Sequence, residues 1–519
     1  MIFPRSMFLL GIVAGLAACG GDKDDNPSAT PTETDTETDT TTTPSPTGDT
    51  GTSTPGPTGD TGEIDPILHE PLAMPEEPTV DPGDFTSAQV CETCHDSHYD
   101  EWSESMHAYA MVDPVYKALV RQRQVDLEGT QDKFCLSCHS AIGTRGGEIQ
   151  PGFDFEALSP IVQEGITCES CHKISSVERV NNAGHVLDPS GPIRGPIDDP
   201  DPSPAHQSEF SELFADDAGM LCGSCHDVIE SSGLNLERPY EEYVESPAYE
   251  VGDRCQSCHM PERTEPIVNG GKDREHSDHR FVGVDVPLLE GFMTPEREEV
   301  LRQDVHALLE NSASLNLRGP DTVLAGQQLD LVIDVHNNID AHNFPTGSTF
   351  IRQAWLEIIA TDADGNVLYK TGDLDDNGDL RNYFSDLDPY GDDDLITFSS
   401  QLIDINGTPE IFSWRATEHW VAAIPPLLDR TYTLFVPTDG AVRGPITIDG
   451  RIRFRSHGPY LLRELGLDDL IDRLEVIDID TMRITVPIDG LPTDTGSTHT
   501  GTTDTGSSGS KGSNSDTGN

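Results

Sequence analysis

The order of apolar and polar positions divides the chain into segments of different character. Residues 7–18 form an apolar run behind Arg5, which is typical of a secretory signal peptide and too short for a comfortable membrane span. Residues 20–62 are mostly Thr, Asp, Pro, Gly and Ser, and such a segment cannot bury enough surface to offset its ordering entropy. Residues 491–519 have a similar composition. Both segments are therefore predicted to be disordered, the first as an extended tether.

Helical periodicity marks the region that follows the tether. Apolar residues recur at helical spacing over 99–110 and 114–125, which predicts a short helix in each range. Loops rich in Pro, Gly and Asp interrupt this pattern at 188–192 and 197–204. The region is therefore predicted to be irregular, with short helices.

A stronger helix signal begins at Thr294. This residue has the features of an N-cap, because Pro and then Glu follow it. The helix is predicted to present Leu301, Val305 and Leu308 on one face and to end near Asn311. It would connect the irregular region to the rest of the chain.

From residue 312 onward the pattern changes to that of strands. The segment Asp362-Ala-Asp-Gly365 separates two strand-like runs and predicts a hairpin turn. A helical insertion is predicted near residues 458–474. Residues 312–488 are therefore predicted to form a β-sandwich-like domain. The strand-like runs are 328–335, 354–361, 432–436, 446–454 and 482–486.

Length and charge narrow the classes of partner. A chain of 519 residues has room for two or three domains. Its formal net charge of -60 argues against nucleic acid or an anionic membrane surface as a partner, because Lys and Arg are the residues that neutralise phosphates. The acidic surface favours solubility, and a basic redox partner is the alternative interpretation.

A five-residue motif carries the chemistry. Of the 11 Cys, 10 lie in five copies of Cys-x-x-Cys-His. Two thiols at this spacing can add to the vinyl groups of one haem, and the following His can ligate its iron. Zinc ribbons or disulfides would not explain a His after every second Cys. The sequence therefore predicts five covalently bound haem c groups, attached through Cys91 and Cys94, Cys135 and Cys138, Cys168 and Cys171, Cys222 and Cys225, and Cys255 and Cys258, with His95, His139, His172, His226 and His259 as proximal ligands.

These signals predict a multidomain chain in which a mainly β domain follows an irregular, short-helical pentahaem domain. The predicted segments are a lipoprotein signal peptide at 1–18, a tether at 19–62, the pentahaem cytochrome domain at 63–292, a connector helix at 293–311, the β-sandwich-like domain at 312–488, and a disordered tail at 489–519.

The remaining cysteine, Cys19, follows Leu16-Ala17-Ala18, which resembles the lipobox of bacterial lipoproteins. That resemblance implies lipidation of Cys19 and a membrane anchor. Gly20 after the cysteine, by resemblance to known sorting rules, implies the outer membrane, on its periplasmic or cell-surface side. The alternative is ordinary signal-peptide cleavage beside an unrelated cysteine. Export agrees with haem c, which is attached on the periplasmic side in bacteria.

A low-spin electron-transfer haem needs a second axial ligand, and His or Met can supply it. Of 18 His, five follow the motifs, which leaves 13. Position alone does not distinguish a ligand among these from a polar surface residue.

A resemblance to a known family narrows this choice. The run from Cys91 to His95, followed by Trp102-Ser-Glu-Ser-Met-His107-Ala108, resembles the cytochrome c-554 family of multihaem cytochromes, as do Pro204-Ala-His206 and Cys255-Gln-Ser-Cys-His-Met-Pro261. His279-Arg-Phe-Val-Gly283 and His342-Asn-Phe-Pro-Thr-Gly347 resemble downstream parts of related cytochromes with a C-terminal β domain. The resemblance covers roughly residues 85–360. It implies the distal ligands His107, His206, His279 and His342, the last tying the β domain to a haem.

Four distal ligands for five haems leave one haem unassigned. The family prototype, by resemblance, has four haems, one of them five-coordinate; this chain departs from it with five motifs. The candidates for the fifth distal ligand are His98, His185, His276, His306, His336, Met106 and Met111.

Three functions follow from these features. The first is a lipid-anchored carrier that passes single electrons between redox partner proteins in the periplasm or at the outer membrane. The second is a haem enzyme acting on a small nitrogen or sulfur species at a five-coordinate haem, although the Cys-x-x-Cys-Lys motif of pentahaem nitrite reductases is missing from the sequence. The third is a docking or polymerising role for the β domain, which would otherwise cap one haem. The sequence favours the carrier and leaves catalysis undecided.

Overall fold

The computed structural model describes residues 77–216 and 218–492. The predicted signal peptide, Cys19, the tether and all but the first residues of the predicted tail lie outside the described residues. Within the described part, no helix is both long and apolar enough to cross a membrane.

Short helices dominate the first part of the described chain, as predicted. Several of them begin with Pro at the first position, which suits a helix start because that N–H has no partner in the helix. The helices are α1 (Ala88–Cys91), α2 (Asp96–Ser103), α3 (Met106–Tyr109), α4 (Pro114–Asp126), α5 (Lys133–His139), α6 (Ala141–Arg145), α7 (Pro160–Gln163), α8 (Cys168–His172), α9 (Ala218–His226), α10 (Pro239–Val244), α11 (Pro247–Val251) and α12 (Cys255–His259).

The single helix predicted over 99–110 is wrong, because the chain breaks between α2 and α3. The Ser105 hydroxyl donates to the carbonyl of Trp102 and accepts from the amide of Ala108, so it ends one helix and caps the next. Helix α4 corresponds to the helix predicted over 114–125. The break sets His107 at a new angle to the preceding helix.

Small two-stranded sheets fill the spaces between these helices. Their strands are β1 (Ile174–Val177) with β2 (His185–Leu187), β3 (Ile193–Gly195) with β4 (Ser208–Phe210), β5 (Val228–Ile229) with β6 (Asn235–Glu237), and β7 (Glu262–Pro266) with β8 (Asp273–Ser277).

Helix α13 (Pro295–Glu310) begins where the sequence predicted, with the Thr294 hydroxyl accepting from the amide of Arg297. It buries Leu301, Val305 and Leu309 against the strands that follow. The prediction of Leu308 on the buried face is wrong: Leu309, four residues after Val305, takes that place.

The strands of the last region form two larger antiparallel sheets and several small ones. One larger sheet has the order β18-β11-β9, and the other has the order β13-β12-β19-β20 with β14 also on β12. The strands are β9 (Ala313–Arg318), β10 (Val323–Leu324), β11 (Leu329–Asn337), β12 (Gln353–Thr361), β13 (Val367–Thr371), β14 (Ile396–Thr397), β15 (Gln401–Ile403), β16 (Pro409–Glu410), β17 (Glu418–Trp420), β18 (Asp429–Val436), β19 (Ile446–Arg455), β20 (Ile477–Val486) and β21 (Ile488–Asp489), with the helix α14 (Pro459–Glu464) between β19 and β20.

All five predicted strand runs lie within or overlap these strands, and α14 lies in the predicted helical insertion. Apolar residues of both larger sheets, such as Ile333 and Ile358, belong to one buried cluster. The hairpin predicted at residue 362 joins β12 to β13, where the Asp362 carboxylate accepts from backbone amides of the turn. The sandwich itself stays a prediction.

The strand-rich region packs directly on the helical region. A bidentate ion pair joins Arg352 to Asp285, with N–O distances of 2.5 and 2.7 Å. Glu242 of α10 accepts hydrogen bonds from Asn343 and Thr346. These contacts place the turn that carries His342 against the helical region.

Candidate functional site

The five motifs line one continuous cavity of about 2180 Å³. Ordinary small-molecule pockets measure about 300–1,000 Å³. All ten motif cysteines and all five motif histidines contribute to the wall of the cavity. The cavity therefore has room for a cofactor set larger than one ordinary ligand.

Each motif is held by a short helical segment. Four of the motif histidines end a helix, namely α5, α8, α9 and α12, and His95 lies between α1 and α2. One helical turn puts the two cysteines of a motif, three residues apart, on the same side. In α8 and α12 the serine between the cysteines accepts from the backbone amide before the motif.

The chemistry of the donors fits haem c. The ten motif cysteines of the described chain form no disulfide, so their thiols are available for thioether bonds. Within the residues that the structure describes, no group of three or more His, Cys, Asp or Glu is arranged around a bare metal ion.

Four motif histidines each face a second imidazole across the cavity. The ring centres are 6.2 Å apart for His95 and His206, 6.2 Å for His172 and His279, 6.3 Å for His226 and His107, and 6.5 Å for His259 and His342.

These separations fit one iron between two imidazoles. A metal–imidazole bond is about 2 Å long and the nitrogen lies about 1 Å from the ring centre, so two rings on opposite sides of an iron have centres about 6 Å apart. The four residues that the family resemblance implied as distal ligands each lie opposite a motif histidine at such a separation, and their role as ligands stays a prediction.

Hydrogen bonds orient most of these rings. A ring that donates from Nδ1 to a carbonyl presents Nε2 with a free lone pair, the form that binds iron. The donors and acceptor carbonyls are His95 to Ile267 (2.8 Å), His172 to Arg194 (2.6 Å), His259 to Val282 (2.8 Å), His279 to Ser277 (2.9 Å) and His342 to Asn343 (2.9 Å).

Burial favours the neutral form of three of the opposed rings. It lowers the pKa of His107 and of His342 to about 4, and it lowers the pKa of His279 well below the ordinary value. A neutral imidazole is the form that ligates a metal.

His139 differs from the other motif histidines. Within the described residues, no imidazole faces it at the separation of the four pairs; instead the Tyr116 ring stacks on its face, with centres 3.9 Å apart and planes 8° apart. This motif is the one for which the sequence identified no distal ligand.

The other candidates for the fifth distal ligand have different surroundings. The rings of His98 and His276 are 4.6 Å apart, too close for an iron between them. His185 contacts the Ser224 hydroxyl. His306 contacts the carboxylate of Glu475, and His336 contacts that of Asp429. Met106 and Met111 pack in apolar clusters.

Neighbouring motifs touch through their cysteines and helices. Cys91 contacts Cys168, Cys138 contacts Cys225, and Cys222 contacts Cys255. Helix α1 packs on α8, and α9 packs on α12. The first motif thus lies beside the third, and the fourth lies beside both the second and the fifth.

Part of the chain is similar to known cytochromes. Residues 90–173 match the family described as cytochrome c554 and c-prime. A stretch of 94 residues is 33% identical to cytochrome c-554 of Nitrosomonas europaea, covering 17% of this chain and 37% of that protein. This chain therefore spans little more than a third of that relative's length.

The fold has a solved counterpart. The penta-haem cytochrome c552 of Thermochromatium tepidum superposes with a TM-score of 0.55 at 20% identity, over 78% of this chain and 100% of that chain. Together with the motifs, the family match and the relative support a multihaem c-type cytochrome with covalently bound haem c, and the penta-haem neighbour shows a similar fold. The resemblance to cytochrome c-554 drawn from the sequence is confirmed.

Proposed function

We propose that this protein carries single electrons through five haem c groups held in the one cavity. Haem c supplies a one-electron iron couple whose potential depends on axial ligands, burial and nearby charge. The observation that carries the proposal is the set of four opposed imidazole pairs, because two protein ligands on an iron leave no position for a substrate.

The residues have distinct roles in this proposal. The ten motif cysteines attach the haems. The ligand pairs are His95 with His206, His172 with His279, His226 with His107, and His259 with His342, and His139 is the proximal ligand of the remaining haem. The carbonyl partners of Nδ1 hold the rings in the tautomer that binds iron.

From the contacts between motifs we infer an order of electron transfer. A path can run from the first motif through the third and fourth to the fifth, with the second beside the fourth. Helices α8 and α9 hold the third and fourth motifs, and Cys171 of α8 lies near Cys225 of α9. Cys94 and Cys258, at the two ends, are the exposed cysteines of the set. Redox partner proteins would therefore meet the chain at the first and fifth motifs.

The strand-rich region would then serve as a cap. We infer that its two larger sheets face each other as a sandwich, since they share one buried cluster. The turn at His342, held by Glu242, closes the cavity beside the fifth motif.

The membrane anchor belongs to the same proposal. The lipobox-like sequence at Cys19 supports a lipid-anchored protein of the outer membrane, with the tether holding the cavity away from the lipid. Replacing Cys19 with Ser should release the protein from the membrane fraction without changing its absorption spectrum. Membrane association that persists in this variant would contradict the anchor.

The ligand pairs can be tested one at a time. His206 lies in an exposed loop, so His206→Ala should spare the fold while freeing one coordination position. The oxidised variant should gain one high-spin signal in electron paramagnetic resonance, and its reduced form should bind carbon monoxide at that haem. His336→Ala, which removes a surface imidazole paired with Asp429, is the matched control and should change neither signal.

Intact mass and potentiometry complete the test. The mass of the mature protein should exceed that of the polypeptide by five haems. A reductive titration should be fully reversible and involve one electron per haem. A haem count below five, or a wild-type spectrum dominated by high-spin iron, would refute the carrier proposal; carbon monoxide binding confined to one wild-type haem would point to the enzyme alternative at His139.

A further inference from the structure

One short segment, His279 to Val282, contacts three of the five haem sites. His279 faces His172 of the third motif. The ring of Phe281 lies 4.3 Å from that of His107, which faces the fourth motif. The carbonyl of Val282 accepts from Nδ1 of His259 in the fifth motif.

The backbone of this segment is bent at Phe281. Phe281 has a φ of 49°, in the left-handed region that residues with a Cβ rarely adopt. Its neighbours are held firmly, since the His279 amide donates to Glu101 and the Arg280 amide donates to Asp278. The unfavourable backbone at Phe281 lets the His279 ring, the Phe281 ring and the Val282 carbonyl reach three different sites.

His107 lacks the restraint that orients most of the other rings. Within the described residues, the His107 imidazole makes no hydrogen bond, and neither does that of its partner His226, whereas Nδ1 of each of the other six paired imidazoles has a carbonyl partner. Its ring is also the most twisted from its partner: the planes of His107 and His226 differ by 45°, against 20° to 29° in the other three pairs.

We propose that Phe281 is a positioning residue that sets the plane of the His107 imidazole and so maintains the twist of this pair. This role rests on the proposed function, in which His107 and His226 share an iron. The tilted contact between the two rings, with planes 54° apart, restricts rotation of His107 about its Cβ–Cγ bond. The angle between two axial imidazoles controls the energies of the iron d orbitals, so the twist gives this haem a signal of its own.

Electron paramagnetic resonance of the oxidised holoprotein tests the role. Phe281→Leu keeps an apolar side chain but removes the flat ring, and Phe281→Gly removes it while suiting the positive φ. In both variants the low-spin signal of the His107 pair should shift or broaden. The other low-spin signals should keep their g values, including that of His279, whose ring lies 5.7 Å from that of Phe281 but is held by its hydrogen bond to the Ser277 carbonyl. Phe281→Tyr, which keeps the ring, should restore the wild-type signal.

Phe214 offers a matched control. Its ring stacks on that of His172 at 5.1 Å, but a hydrogen bond from His172 to Arg194 already holds that imidazole. Phe214→Leu should therefore leave every signal unchanged.

The outcomes separate the two proposals. Unchanged signals in both Phe281 variants would overturn the positioning role, and so would equal shifts in the Phe214 and Phe281 variants. A wild-type protein without low-spin signals would instead overturn the ligand pairs themselves, whatever the Phe281 variants show.

Discussion

Removing one partner of the ion pair between Arg123 and Glu230 should destabilise the fold by several kcal/mol. Arg123 of α4 donates two hydrogen bonds to Glu230, with N–O distances of 2.6 and 2.9 Å. The two side chains are 3% and 0% exposed. Glu230 also accepts from the Ser413 hydroxyl, so this pair joins α4, the β5–β6 hairpin and the strand-rich region.

The size of this destabilisation follows from the burial of both side chains. Removing one member leaves the other charged and buried, which costs about 3–5 kcal/mol in the free energy of unfolding. Burial by itself raises the pKa of Glu230, but the hydrogen bond and charge of Arg123 outweigh it and lower the pKa. Glu230 is thus ionised in the fold, and Glu230→Ala should destabilise by this amount near neutral pH.

A double-mutant cycle measures the interaction. Urea unfolding of the holoprotein, followed by circular dichroism, gives the free energies for Glu230→Leu, Arg123→Leu and the double variant. Replacing both charges with apolar side chains should recover most of the loss, because buried pairs are often no better than apolar packing.

The same helix carries the control. Lys117 and Glu156 pair at 2.9 Å with side chains 20% and 71% exposed. Glu156→Ala should cost less than about 1 kcal/mol. The reasoning would be refuted if the double variant lost as much stability as the two single variants added together, or if Glu156→Ala cost as much as Glu230→Ala.

Two further predictions concern single carboxylates. Asp362→Ala should destabilise the β12–β13 hairpin by about 2–3 kcal/mol in urea unfolding, because the carboxylate accepts hydrogen bonds from Asn366 and Val442. Asp362→Asn keeps one acceptor oxygen and should lose less stability. Equal losses in the two variants would contradict this account. Burial raises the pKa of Asp113 to about 6, so the folded chain binds the carboxyl proton more tightly than the unfolded chain does. The free energy of unfolding should therefore decrease as the pH rises from about 4 to 6. Asp113→Asn keeps the helix cap and should flatten that pH dependence by on the order of 2 kcal/mol; an unchanged profile would assign it to other groups.

Local patterns in the sequence identify the elements and the attachment chemistry. A thioether site needs five consecutive residues, so each motif can be recognised wherever it lies. The start of α13 at Thr294 and the turn at Asp362 depend on their own side chains and close neighbours, and both agree with prediction. Apolar spacing alone misses one local signal: Ser105, through hydrogen bonds to Trp102 and Ala108, breaks the helix predicted over 99–110.

Only the tertiary structure decides which imidazoles meet. His107 follows the first motif closely in sequence, yet it faces His226 of the fourth motif, more than a hundred residues further on. Family resemblance identified His107 as a distal ligand but not its partner, and nothing in the sequence marks Phe281 or its backbone conformation. The cysteines and the proximal histidine of each haem belong to one helical turn, and the sequence determines them. For four of the five motifs, the imidazole opposite the motif histidine comes from a separate segment, which only the folded chain brings close.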